Sequence, residues 1–348
     1  MATKIWRCAA ARLLAVSPVP ALIAPWGSGL GSILTFHQIA EQRSKYRLET
    51  DALRFGPALF RQVVRTLVGR GFDLVSMSEL ARRMRQPQPA KFVALTFDDG
   101  SLDTYTEAFG ICRALGVPIT IFIATGPMER KFPMWWLGLE QLVESQDEIL
   151  FHVKGKRFHY PAVTSAQKRL AYRRLAHQFT NALSGECLAL CEAIEAKYPI
   201  SFMRTTNENA IRPEMVAEMH ASGLVEVGAH SVTHANLRLA QRDEVASEME
   251  SSRRALEAVI NAPVRHFAYP YGTVRTAGPR EFALCRELGF ETAVTTRTSN
   301  LFQRDFDEPH RLPRLSMNGD YQSTRMVDLL LSGTVPMIKQ TIGPFKRI

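Results

Sequence analysis

From residue 31 onward the chain alternates apolar runs with segments of helical spacing, and this rhythm limits the folds open to it. GSILTFHQI, KFVALTFDD, PITIFIAT, LVEVGAH, RHFAYPYG and TAVTT read as strands. Between them, GPALFRQVVRTLVGRGF, LDTYTEAFGICRALG, DEVASEMESSRRALEAVI and PREFALCRELGF place apolar residues at helical intervals. Repeated strand–helix units predict a parallel sheet, open or closed into a barrel. The length of 348 residues suits one barrel-sized domain with insertions. The rhythm breaks over residues 126–212, where Trp135 and Trp136 precede charged helical stretches such as SAQKRLAYRRLAHQFTNAL. We read this region as a mainly helical insertion between two core strands. The expected layout is an N-terminal amphipathic segment (1–30), a core (31–125 and 213–317), the insertion (126–212) and a C-terminal extension (318–348).

Composition narrows the partners. The formal charge of +9 is spread along the chain, with local clusters such as Arg82, Arg83, Arg85 and Lys168, Arg169, Arg173, Arg174. Neither zinc-finger spacing nor an RNA-binding aromatic pattern accompanies it, so a solvated basic surface is expected and nucleic acid is not. The basic residues of 154–174 would either meet an anionic glycan or stay solvated. The five cysteines are too few and too odd in number for a disulfide framework, and Cys187 and Cys191 fit helix packing. A reducing, cytoplasmic compartment follows as the expectation. The first 29 residues combine positive charge with an apolar middle, but Arg12, Pro18 and Pro20 break the run too often for a span. An amphipathic helix on the protein or on a membrane surface is expected, and the basic C-terminal extension repeats the choice.

The chemistry sits at the strand ends. KFVALTFDDG finishes a buried-looking strand on Asp98 and Asp99. An Asp-Gly turn or a helix cap accounts for one acid but not two. Like charges this close repel unless a cation or proton relieves them, and neighbouring strand residues point to opposite sides, which allows two different roles. LVEVGAHSVTH ends on His230, with His234 one helical turn later, so both imidazoles can face one point. Two histidines and a carboxylate form a facial ligand set with open positions. The pair lacks the HExxH glutamate, which counts against peptidase chemistry. The first strand ends on His37 and another on Pro270, Tyr271 and Gly272.

Taken together, TFDDG (96–100), HSVTH (230–234) and YPYG (269–272) resemble the motifs of the polysaccharide deacetylases of carbohydrate esterase family 4, which include the nodulation chitooligosaccharide deacetylases. The resemblance covers roughly 31–125 and 213–317 and leaves the insertion unexplained. It implies a distorted, incomplete (β/α) barrel and a metal-dependent hydrolase that removes N-acetyl groups from a GlcNAc-containing glycan. It also implies that Asp99, His230 and His234 hold a divalent metal, usually zinc, that Asp98 is the general base, and that the Tyr271 backbone N–H helps to hold the oxyanion. Ser231 would support the motif turn. Two departures stand out. The family's third motif carries an Arg that orients the base, where this chain has Ala268, so Arg311 or Arg314 is expected to replace it. The later histidine motif that supplies the general acid is not evident. ILTFH resembles the rearranged version in biofilm-polysaccharide deacetylases, which implies His37 as the acid, with His310 competing. Trp135 and Trp136 would line a glycan subsite or anchor the insertion. A de-O-acylase, a deformylase and a non-catalytic glycan binder are the alternatives.

Overall fold

The computed structural model describes residues 14, 17–41, 44–86, 91–319 and 323–342. Among them, one parallel sheet forms the core. It contains β1 (Gly31–Phe36), β2 (Asp73–Val75), β3 (Phe92–Phe97) and β4 (Ile119–Ile123). A separate hairpin is made by β5 (Glu148–Val153) and β6 (Lys156–Pro161), and the sheet resumes with β7 (Val225–Ala229), β8 (His266–Ala268), β9 (Thr292–Val294) and β10 (Leu315–Ser316). The spatial order is β10-β1-β3-β4-β7-β8-β9, with β2 paired to the start of β3. β1, β3 and β4 are buried at every position, as continuous apolar strands must be when both sheet faces are covered.

The sheet curls until its edges nearly meet, and one short run spans the gap. Leu312 bridges to Val294 on the β9 side, while Leu315 and Ser316 pair with Leu34 and Thr35 of β1. This is the distorted barrel expected of the chain, and its closure carries Arg314 inward to 1% exposure. Because all strands of the sheet are parallel, their carboxyl ends lie on one side. Phe36 pairs with Phe97, so His37 and Asp98 leave adjacent strands at the same level.

β4 and β7 are neighbours in register from Ile119–Val225 to Ile123–Ala229, so the residues between them form an excursion from one strand crossing. It holds helices Trp135–Ser145, Ser165–Thr180, Ser184–Glu195 and Phe202–Asn209. It also holds the β5–β6 hairpin, which the reading of a mainly helical insertion missed. The hairpin turns at Lys154 and Gly155, both at positive φ (48° and 75°), the requirement of a tight primed turn.

The insertion has its own apolar cluster, including Trp135, Trp136, Phe151, Phe158, Phe179 and Phe202. The two tryptophans are 5% and 6% exposed, and Trp135 stacks on Phe179 at 5.0 Å, so they anchor the insertion and present no open ring face to a sugar. A buried ion network ties the unit to the barrel. Arg54 reaches Glu140 at 2.7 and 2.8 Å and Asp51 at 2.9 Å.

Of the basic stretch, Lys154, Lys156, Arg157, Arg173 and Arg174 are exposed, as the solvated reading expects, while Lys168 and Arg169 are taken up within the protein. Arg169 donates to the Tyr46 carbonyl at 3.0 Å and Arg173 pairs with Glu49 at 3.1 Å. Lys168 is 2% exposed, and its Nζ donates to the carbonyls of Val143, Glu144 and Gln146 at 2.8, 3.3 and 2.6 Å. These are the orphan carbonyls at the end of helix Trp135–Ser145, where a cation is favoured. Lys168→Met strips them of a charged donor and is expected to destabilise the protein by about 2 kcal/mol. Urea unfolding of the variant against the wild type measures this.

At the chain ends, helix Val19–Gly27 packs on helices Thr324–Leu331 and Thr334–Ile342. Asn300 knits them, donating to the carbonyls of Gly27 (2.7 Å) and Leu331 (3.0 Å). Half of the expected N-terminal amphipathic segment, Cys8 included, lies outside the described residues. Among the described residues, no helix is long and apolar enough to cross a membrane.

Candidate active site

Strand ends β1, β3, β7 and β8 deliver the polar residues to one place. Asp99 Oδ1 lies 3.4 Å from His230 Nε2 and 3.3 Å from His234 Nε2, and one ligand atom from each of the three residues falls within 4.8 Å of the others. All three are buried. Neither histidine aligns as a hydrogen-bond donor to Asp99 Oδ1, which has no other partner among the described residues. A buried carboxylate oxygen facing two imidazole nitrogens, with nothing else to satisfy it, is the donor set of a cation site. His230 Nδ1 meets the Ala268 carbonyl at 2.7 Å, which fixes that proton on Nδ1 and leaves Nε2 free to bind.

The local backbone is bent to make this fit. Asp99, Ser231, His234 and Tyr271 all have positive φ (71°, 62°, 54° and 60°), and together they are half of the eight non-glycine residues so placed among those described. Such conformations cluster where surrounding structure enforces them. For the HSVTH turn the enforcement is visible. The N–H groups of Thr125 and Gly126 donate to the Ser231 and Val232 carbonyls at 3.1 and 2.8 Å. Gly126 is required there, because a Cβ would stand 2.6 Å from the Val232 carbonyl oxygen. Ser231 therefore contributes through its backbone, and its buried Oγ has no partner among the described residues.

Glu248, which the sequence reading did not single out, accepts from Val232 N, Thr233 N and Thr233 Oγ1 at 2.8, 2.9 and 2.8 Å. Its sequence neighbourhood is an ordinary polar helix, so only the spacing of one helix face against the turn would have betrayed it. Glu248→Ala releases the turn that carries both histidines. We expect metal retention to weaken by about 10- to 100-fold, read by competition with a chelating dye.

Asp98 has a different partner. Arg314 grips it with two parallel hydrogen bonds, Nη1 to Oδ1 at 2.7 Å and Nη2 to Oδ2 at 2.6 Å, and its Nε donates to the Thr295 carbonyl at 3.1 Å. Of the two arginines expected to replace the motif arginine, Arg314 is the one that reaches Asp98, while Arg311 pairs with Glu308 at the surface. Burial alone would raise the Asp98 pKa, but the charges of Arg314 and His230 and the Arg314 hydrogen bonds outweigh it and hold the carboxyl below its usual range. At Asp99 burial also raises the pKa, and the contacts from His230 and His234 bring it well below. Among the described residues, Arg314 is committed to Asp98 and no arginine or lysine pairs with Asp99.

His37 stands near enough for its charge to act on both Asp98 and Asp99. His310 is not brought to the site. Its Nε2 meets the Phe290 carbonyl at 2.8 Å, ahead of β9 and so at the opposite end of the strands. The Tyr271 turn is held by Thr296, whose Oγ1 donates to the Tyr271 carbonyl at 2.9 Å. The Tyr271 ring lies edge-on to His234 with centroids 4.6 Å apart, and Trp136 covers His234 from another side at 5.0 Å. A small pocket opens beside them, lined by Phe132, Trp135, Phe179, Cys187, Thr233 and Tyr271.

A curled parallel sheet brings together at its carboxyl ends an Asp and two histidines able to hold a metal ion and, beside them, a second Asp clamped by an arginine. The family model for polysaccharide deacetylase matches residues 85–182 and 193–292, and the chain belongs to that family. It is accordingly an enzyme that deacetylates glycans, and metal dependence is typical of the family. Among solved structures the chain is similar to the deacetylase PplD of Streptococcus pyogenes, in complex with acetate, at 18% identity and TM-score 0.56, covering 86% of this chain and 97% of that one. It is also similar to IcaB from Ammonifex degensii, at 19% identity and TM-score 0.56, covering 87% and 97%. A polysaccharide deacetylase from Bacillus cereus aligns at 15% identity and TM-score 0.57, covering 86% and 68%. Likeness at these identities speaks for the fold. No curated protein matches the chain.

Proposed function

We propose that this enzyme removes N-acetyl groups from a GlcNAc-containing oligo- or polysaccharide, with a divalent metal, zinc, held by Asp99, His230 and His234. The observation that carries the reading is the pair of neighbouring acids with separate partners: Asp99 faces the two imidazoles and Asp98 faces Arg314. The metal supplies Lewis-acid polarisation of the amide carbonyl and a lowered pKa for water.

The chain's own residues do the rest. Asp98 takes the proton from the attacking water, and the Arg314 fork fixes which way its oxygens point. The Tyr271 N–H donates to the oxygen that becomes negative as the tetrahedral intermediate forms. His37, at the end of the strand beside that of Asp98, gives a proton to the departing amine. Trp136 and Tyr271 pack around His234 and keep bulk water from its ring.

The test is a panel of N-acetylglucosamine oligomers, their N-formyl analogues and an O-acetylated xylan, with the released acid quantified. Acetate release from the N-acetyl oligomers ahead of the others supports the proposal. Release from the ester or formyl substrates alone contradicts it.

A further inference from the structure

We infer that the paired terminal helices form a docking face for an anionic phospholipid surface. Helix Val19–Gly27, VPALIAPWG, contains no polar side chain. Its inner side is spoken for: a Cβ on Gly27 would stand 2.4 Å from the Ser332 carbonyl oxygen, and one on Gly333 would stand 2.2 Å from that of Gly27. The backbones therefore touch, and Asn300 locks them, so the helix is fixed in place. Its outer side is Ala21, Leu22, Pro25 and Trp26, spaced as one stripe and facing water, with Leu22 65% and Trp26 77% exposed. Met337, 46% exposed, adds to it from helix Thr334–Ile342. A surface helix of a soluble protein turns its polar face outward; this one has no polar face.

The charge pattern selects the occupant. Although the chain carries 34 acidic residues, none falls in residues 1–40 or 329–348, while Lys4, Arg7, Arg12, Lys339, Lys346 and Arg347 do. Lys91 meets Ser28 Oγ at 2.9 Å, at the end of the apolar helix. Apolar side chains with an exposed tryptophan, on terminal segments whose sequence carries cations and whose adjoining acid, Asp328, is paired with Arg70, match a bilayer surface carrying anionic lipid rather than a second protein copy. The helix enters the barrel at the amino end of β1, where Leu30 N donates to Leu301 O. Docking thus presents the active site, at the carboxyl ends, away from the bilayer. The inference is independent of the deacetylase reading.

The test uses the full chain in co-sedimentation with phosphatidylcholine vesicles, with and without phosphatidylglycerol. Binding at least about tenfold tighter to the phosphatidylglycerol vesicles, falling steeply with added salt, is expected. The double variant Leu22→Glu/Trp26→Glu is expected to bind at least about tenfold more weakly while keeping the wild-type melting temperature, since both side chains face water. Should the variant melt early, the lipid and salt dependence of the wild type still decides the matter. Failure of the wild type to pellet, equal binding to both vesicle types, or unchanged binding by a folded variant overturns the inference. So does a wild-type dimer that the variant dissolves while neither binds vesicles, because a second copy then covers the face.

Discussion

Asp98→Asn lowers kcat on an N-acetylated oligosaccharide by about 10²- to 10⁴-fold and leaves bound metal at the wild-type level. The first half follows from proton transfer: Asn is the same size but cannot accept the proton from water, and a positioned general base is worth this much. The second half follows from geometry, because Asp99, His230 and His234 converge without Asp98, which spends both oxygens on Arg314. Steady-state kinetics and metal content of the same preparation decide it. A loss below about threefold removes Asp98 from proton transfer, since even a weak general base exceeds that. Loss of metal together with activity would mean that the two acids are not divided in their work.

Arg314→Met carries the largest stability effect. It leaves the Asp98 carboxylate buried with no cationic residue hydrogen-bonded to it, and breaking a buried pair by removing one partner costs about 3–5 kcal/mol. Activity falls as well, because the carboxyl loses its orientation and its pKa rises once burial is no longer outweighed by Arg314. Lysine is no substitute, since a point ammonium cannot make the two-pronged contact. The double variant Arg314→Met/Asp98→Asn separates the two effects: removing the stranded charge restores much of the stability and none of the activity. Denaturant unfolding of the wild type, both single variants and the double gives the coupling directly. Additive losses would show that the clamp contributes nothing to folding.

How much of this was legible depends on how local the signal is. The β/α alternation and the two motif segments are contiguous in sequence, so the sheet, Asp98, Asp99, His230 and His234 could all be read from short stretches. Arg314 was harder. HRLPRLSM offers two arginines, and the choice rests on closure of the barrel: Leu312 pairs with Val294 and Leu315 with Leu34, which turns Arg314, lying between them, inward over Asp98. His310, in the same run, looks equally chemical on paper, but its ring bonds back to Phe290 at the far end of the strands.

Lys168 misleads for the opposite reason, and the tryptophans, left between a glycan subsite and an anchor by the sequence, resolve into anchors only through packing. Their residue types advertise surface and sugar, whereas their burial depends on a helix end and an apolar cluster formed by distant segments. The β5–β6 hairpin escaped because His, Lys and Arg on its exposed positions blur the alternation, and its Lys154-Gly155 turn is a quiet signal.

The measurement that bears most directly on the account is acetate release from N-acetylglucosamine oligomers by the purified chain, stripped with chelator and then given back zinc. Release that stops on stripping and returns with about one metal per chain is the predicted result, and it requires the Asp99, His230 and His234 cluster to act as a single site. Release that continues undiminished in the stripped protein would contradict it.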